Sequence, residues 1–337
     1  MKVARFHAPG DLRVEDAPEP SVGPLDVAIR PLAVGVCGTD THILHGDFPA
    51  VPGTVLGHEI AGEIVAVGDA VDYLRKGELV TVEPHVYCTR CHFCRIGAEH
   101  MCLDKKAFGV HLDGGLATRL VVPARCAYVV PADTPPEIVA MTEPLACCVH
   151  GMDRLDPRQG ETMLIIGAGP AGLLLTRLAV LRGVGLLVVS DLDAGRRRAA
   201  AAFGAHHVID PRDPATEQRL LDLTGGLGFE TVVDAVGGTE TFEFAIARAA
   251  RRGRVLVFGV APQAARATVR PYEIFAKELS ILGTAINPYT HERAVRLLPR
   301  MELARMPTQK FRLEDVHDAL AAQESGRDGK MIVCPNG

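Results

Sequence analysis

Tryptophan is absent from the 337-residue chain, and aromatic residues make up only 5% of it. A stacking platform for exposed bases is therefore not expected. Basic charge is not in excess either. The 36 Lys and Arg face 41 Asp and Glu, a formal net charge of -5. That balance argues against nucleic acid or an anionic membrane as the main partner. No long hydrophobic run is present. The most apolar stretch, residues 173–189, is broken by Arg177, Arg182 and two glycines, whereas a membrane helix needs about 20 apolar residues with few charges. The opening Met-Lys-Val-Ala-Arg-Phe-His has no uninterrupted apolar segment, so no secretory signal is expected and the protein is read as soluble and cytoplasmic.

Of the nine cysteines, four fall within residues 88–102. An odd count, clustered in a long chain without a signal, points to metal rather than disulfides. Cys126, Cys147, Cys148 and Cys334 read as small buried residues.

The length fits about two domains. Up to about residue 145, short apolar runs (Asp26–Ile29, Glu63–Val67, Leu79–Val82) are punctuated by Gly, Pro and Asp, the texture of a β-rich domain with many turns. From about 150, apolar runs at 163–166, 186–189, 231–234 and 254–258 alternate with helical segments such as Pro170–Arg182 and Ala194–Phe203. Such alternation predicts βαβ units in a doubly wound parallel sheet, an α/β class. Helices are expected over His291–Leu298 and Leu313–Ala322, with a last strand at Lys330–Cys334. His206 and His207 are expected in a surface turn.

Gly167-Ala168-Gly169-Pro170-Ala171-Gly172 fits G-x-G-x-x-G, after an apolar strand and before a helix. Glycines there permit a tight turn and close approach of a pyrophosphate to the helix N-terminus. Asp191, directly after the next strand, can accept the ribose hydroxyls of NAD and repel a 2′-phosphate. Arg196, within Arg196-Arg197-Arg198, could instead hold such a phosphate or belong to a solvated helix face. Asp191 decides for NAD.

Cys88-x2-Cys91-x2-Cys94-x7-Cys102 can close a tetrahedral thiolate shell around zinc with no open position, a structural role. A redox-active pair, a chance cluster and a nucleic-acid-binding finger are the competing readings. A second set is dispersed: Cys37, His58-Glu59 and Glu143. Thiolate, imidazole and carboxylate suit a zinc with an exchangeable position. Spacing alone leaves this set open against a turn beside a core histidine.

Cys37-Gly-Thr-Asp-Thr-His42, Gly57-His58-Glu59, the four-cysteine loop, Glu143-Pro-Leu-Ala146 and the glycine motif occur in this order. Together they resemble the zinc-dependent medium-chain dehydrogenase/reductase family, in its sorbitol/polyol and threonine dehydrogenase branch. The resemblance spans essentially the whole chain. It implies a GroES-like catalytic domain over 1–148 and 287–337, with a Rossmann NAD-binding domain over 149–286 between them. It implies one structural and one catalytic zinc, the latter on Cys37, His58 and Glu59, with Glu143 as a nearby carboxylate able to ligate directly or through water. Thr39 and His42 match a proton relay. Asp40 matches a position behind the ligands, with a local turn cap as its competing reading.

The implied reaction is oxidation of a secondary alcohol, with hydride passing to NAD. By position in the family, Phe48, Phe108, Val110, His111 and Ile286-Asn287-Pro288-Tyr289 are candidates for the substrate pocket, each against a reading as ordinary packing. Sorbitol-type members carry an Arg in the segment where this chain has Gly283–Thr290, which contains none. A polar, hydroxyl-rich substrate (a polyol, sugar or sugar acid) is expected, because Asn287, His111 and Glu143 offer hydrogen bonds. Threonine or an aminocyclitol is the alternative, and a non-catalytic NAD-binding protein the remote one. The family also implies a homodimer or homotetramer.

Overall fold

A computed structural model describes residues 1–326 and 328–337. The chain divides into two compact units, one of Met1–Ala146 with Asn287–Gly337, the other of Cys147–Ile286. Each has a core of its own.

The first unit is built on a seven-stranded sheet. Asp26–Gly35 is its central strand, pairing antiparallel with Glu59–Val67 on one side and with Leu120–Pro123 and Lys330–Cys334 besides. Val, Ile and Ala alternate or run together along these strands, and Val27, Ile29, Val34, Ile60 and Ile64 are fully buried. Burial of such side chains contributes about 1.5–3 kcal/mol each. The β-rich texture read over residues 1–145 is therefore mostly one sheet, which the last strand of the chain joins beside the central strand. Gly35 pairs with Glu59 on one side and Ile332 on the other. That register sets residues 35, 59 and 332 side by side.

The second unit holds a six-stranded, all-parallel sheet. Its strand order is His207–Ile209, Leu186–Ser190, Thr162–Ile166, Phe229–Asp234, Ala249–Val257, Ser280–Gly283. The order reverses beside Thr162–Ile166, and the C-terminal end of the strands at such a reversal is where doubly wound folds bind ligands. Leu164, Val188, Val232 and Val255 are fully buried, as expected where helices cover both faces of a parallel sheet.

Three local expectations differ from the structure. His206 lies in an exposed bend between helix and strand, as expected, with its Nδ1 accepting the Leu187 amide at 2.9 Å, but His207 opens a strand. Residues 313–315 form a 3₁₀ turn and the helix proper runs Val316–Glu324. The helix at His291 ends at Leu297 and tightens into a 3₁₀ turn over Leu298–Arg300, where Pro299 removes an amide donor. No helix of the described residues is long and apolar enough to cross a membrane.

Candidate metal centres and dinucleotide site

Cys37 sits at the N-cap of the helix Gly38–His45, just past the central strand. Its extended backbone leaves the amide free for Asp40, whose Oδ2 accepts it at 2.9 Å. The neighbouring strand begins at Glu59, so His58 and Glu59 enter opposite the end of the Cys37 strand. Ligand atoms of Cys37, His58 and Glu59 lie within 4.8 Å of one another. Asp40 Oδ1 stands 3.5 Å from His58 Nδ1, which leaves Nε2 for a metal. Burial opposes a charge on His58, yet Asp40 and Cys37 outweigh it, and its pKa is raised well above the usual histidine value. The carboxylates and thiol gathered beside His58 are the donor types that hold a divalent cation. The buried Glu59 Oε2, which accepts no hydrogen bond from the described residues, fits one too.

Glu143 lies outside this cluster. It is buried, and its Oε1 accepts from Asn287 Nδ2 at 3.4 Å. Thr39 Oγ1 is 3.7 Å from Cys37 Sγ. His42 follows one turn later on the same helix, half exposed, 3.9 Å from Asp47.

The other thiolates form the second cluster. Cys91 and Cys94 sulfurs are 3.6 Å apart, and Cys88 and Cys94 sulfurs 4.0 Å. A tetrahedron with Zn–S near 2.3 Å has sulfurs about 3.8 Å apart. No disulfide joins them. Amides of Leu103 and Cys94 hold the Cys91 thiol down to about 6, whereas burial pushes Cys94 up to about 12. The turns at His92–Arg95 and Glu99–Met101 shape this loop without a hydrophobic core.

In the second unit, Gly167 adopts φ +98°, open to glycine but strained for other residues. A Cβ at Gly172 would collide with the Gly167 carbonyl, while one at Gly169 would meet nothing within 4 Å. The turn is tight on its inner side and open on its outer side, where the helix Pro170–Leu181 begins with no side-chain cap. Pro170 lacks an amide, so Ala171 and Gly172 are the first donors, a cradle that fits a pyrophosphate. Asp191 Oδ2 accepts the Ala168 amide at 2.7 Å and Oδ1 the Asp193 amide at 2.8 Å. Arg196 is 4.0 Å from Asp191, and Arg197 donates to the Asp191 carbonyl.

Of the pocket candidates, Phe108 and Val110 are packed in the core of the first unit, and Phe48 is exposed. His111 Nδ1 accepts the Ala107 amide of its own loop. Asn287 is fully buried. Pro288 and Tyr289 line a cavity of about 250 Å³ together with Glu83, His85, Tyr87 and Tyr128. Sequence reasoning missed His85 and Glu83. Burial lowers the His85 pKa to about 3, so it is neutral. Tyr128 and Tyr87 donate to Glu83 at 3.1 and 3.4 Å. The one local signal was their place in Glu83-Pro84-His85, between a strand and the cysteine loop.

The family profile of the alcohol dehydrogenase GroES-like domain matches residues 23–132, and that of the zinc-binding dehydrogenases matches residues 170–301. D-arabinitol dehydrogenase 1 of Uromyces fabae is 33% identical, covering 100% of this chain and 97% of that protein. L-threonine 3-dehydrogenase of Thermococcus kodakarensis is 32% identical, over 95% and 93%. Among solved structures, a zinc-binding dehydrogenase of Sinorhizobium meliloti 1021 bound to NADP superposes with TM-score 0.94, at 34% identity and 99% of each chain.

Proposed function

The chain belongs to the zinc-binding alcohol dehydrogenase family, and from that premise we propose that it oxidises a secondary hydroxyl of a polar, hydroxyl-rich substrate to a ketone with NAD. The observation that carries this reading is the Cys37, His58 and Glu59 cluster with Asp40 behind the histidine. A structural role needs no such three-ligand set. Zinc held there supplies a Lewis acid that lowers the pKa of a hydroxyl, and NAD supplies the hydride acceptor.

The protein's own part is orientation and proton handling. Asp40 fixes the His58 tautomer. Thr39 Oγ1 would accept the substrate's hydroxyl proton while donating its own onward to a ribose hydroxyl of bound NAD, and His42, half exposed, would receive the proton from there and return it to solvent. Glu143 and Asn287 are buried and polar, and hydrogen-bond the further hydroxyls that distinguish a polyol from an alkanol. Asp191 selects the ribose hydroxyls of NAD over a 2′-phosphate.

An amino alcohol such as threonine is the second reading. The carboxylate of Glu99 in the cavity wall supports it, since it suits an ammonium group, although Arg125 lines the same wall. The strand Ser280–Gly283 is a sheet edge with Ile281 exposed, and Tyr272 and Phe275 nearby in sequence are exposed too. A homodimer or homotetramer that covers this edge completes the proposal.

The test is coenzyme reduction with polyols, sugar acids, aminocyclitols and threonine, with and without chelator. Chelator-sensitive reduction is expected with a polyol or sugar acid. Reduction by His58→Ala at the wild-type rate in zinc-free buffer would refute the scheme.

A further inference from the structure

The residue that most closely engages the carboxylate of the candidate catalytic centre comes from the far end of the chain. Lys330 opens the strand Lys330–Cys334 and is 4% exposed. Its Nζ donates to Glu59 Oε1 at 2.6 Å and to the Val36 carbonyl at 2.9 Å. It also stands 2.6 Å from Glu59 Oε2. That second oxygen is buried and accepts no hydrogen bond from the described residues.

The space for this pair is built into the sheet. Gly35 lies between Glu59 and Ile332 in the strand register. A Cβ there would collide with Glu59 Oε2 and stand 2.8 Å from Lys330 Cε. The φ of Gly35 is not positive, so room, rather than backbone conformation, explains the glycine. The Val36 carbonyl that takes the second ammonium proton immediately precedes Cys37. One ammonium thus fastens the approach to Cys37 and the side chain of Glu59 together.

Glu59 consequently faces two cations, Lys330 and a metal at Cys37 and His58. Both draw on one carboxylate charge, and the buried ammonium repels a metal cation beside it, so the pairing weakens Glu59 as a ligand. We propose that Lys330 is a positioning residue that keeps Glu59 a releasable metal ligand, so that a coordination position opens for the substrate hydroxyl while Cys37 and His58 stay in place. The inference rests on the zinc-dehydrogenase reading. Zinc analysis of the wild type separates the two failures: one zinc per chain, held by the four-cysteine loop alone, removes that reading before Lys330 is tested.

The experiment places cobalt at the Cys37 cluster of the full-length protein, with zinc left in the cysteine loop as the internal control. Visible ligand-field bands report the ligand set, and transfer to a chelator reports its strength. Lys330→Met, uncharged and of similar length, removes the competing cation and is expected to shift the bands and slow cobalt loss about tenfold, the opposite sign to loss of a supporting hydrogen bond but of the same scale. Lys330→Arg keeps the charge and is expected to stay with the wild type. Wild-type bands and loss rate in a folded Lys330→Met protein overturn the proposal, as does faster loss, or an Arg variant that behaves like Met. If Lys330→Met does not fold, the wild type still decides. The ¹⁵N ammonium resonance of Lys330, identified by its absence from Lys330→Arg, is expected to shift when metal is added to the metal-free protein. An unmoved resonance overturns the proposal.

Discussion

Asp40 and His58 are joined by one carboxylate oxygen, Oδ1, 3.5 Å from Nδ1, while the other oxygen caps the helix that Cys37 starts. One side chain is thus placed for both readings of Asp40, the turn cap and the proposed support for a metal ligand. Fixing the helix start fixes Cys37, and fixing the ring fixes His58.

Replacing Asp40 with Ala should remove both effects. Loss of the cap costs about 1 kcal/mol, and loss of the partner behind a metal-bound histidine lowers metal affinity about 10–100-fold. Zinc analysis after mild chelation should then give close to one zinc per chain, retained by the cysteine loop, where the wild type keeps both clusters filled. Full retention of both would show that Asp40 is only a cap.

The four-cysteine loop should take up zinc with strong pH dependence. The Cys94 thiol is pushed up to about 12 by burial, so a proton must leave it when zinc binds. Zinc affinity of the loop is therefore expected to rise with pH and to fall on acidification. Cys94→Ser should empty the loop and lower the melting temperature while leaving coenzyme binding intact. A proton-release measurement during zinc titration checks the sign: no protons released at neutral pH would contradict it.

What could be read from the chain in advance was what is local. The glycine turn and the cysteine loop lie within short stretches, and each carries its chemistry in its spacing. The set Cys37, His58 and Glu59 was visible only through the ordered motifs, because strand register, not spacing, brings Glu59 opposite Gly35. Lys330 read as nothing more than the start of a strand. Its partner is 271 residues away, and only the pairing of the last strand with the central one connects them. His85 stayed hidden for the same reason: nothing nearby in sequence tells a buried neutral imidazole at a cavity wall from a loop histidine. His207 was misread because the strand it opens is short and pairs only with Leu186–Ser190.

Glu83 should make stability depend on pH in a direction opposite to that of most carboxylates. Burial raises its pKa, against the hydrogen bonds from Tyr128 and Tyr87. A carboxyl whose folded pKa lies above its unfolded value adds stability while protonated, and that stability is lost as pH rises through the folded pKa. Glu83→Gln cannot ionise and should lose this contribution to the pH dependence. Melting temperatures of both proteins between about pH 4 and about pH 8 test it. The wild type should fall further than the variant toward neutral pH, and parallel curves would rule out the assignment.

Coenzyme choice is expected to turn on Asp191, whose two oxygens already hold the Ala168 and Asp193 amides. Those bonds orient the carboxylate at the mouth of the glycine turn and leave it lone pairs for ribose hydroxyls, since each oxygen accepts more than one bond. Arg196, 4.0 Å away, is the counterweight. Asp191→Ser removes the negative charge and keeps a small hydrogen-bonding group. Loss of the charged acceptor should weaken NAD by about 1.5–3 kcal/mol, the range for a hydrogen bond to a charged group. It should also strengthen NADP, because the 2′-phosphate then meets Arg196 without the opposing carboxylate. Fluorescence titration of the reduced coenzymes measures both. If NADP binds the wild type as tightly as NAD, Arg196 rather than Asp191 governs the site, and the chain accepts both coenzymes.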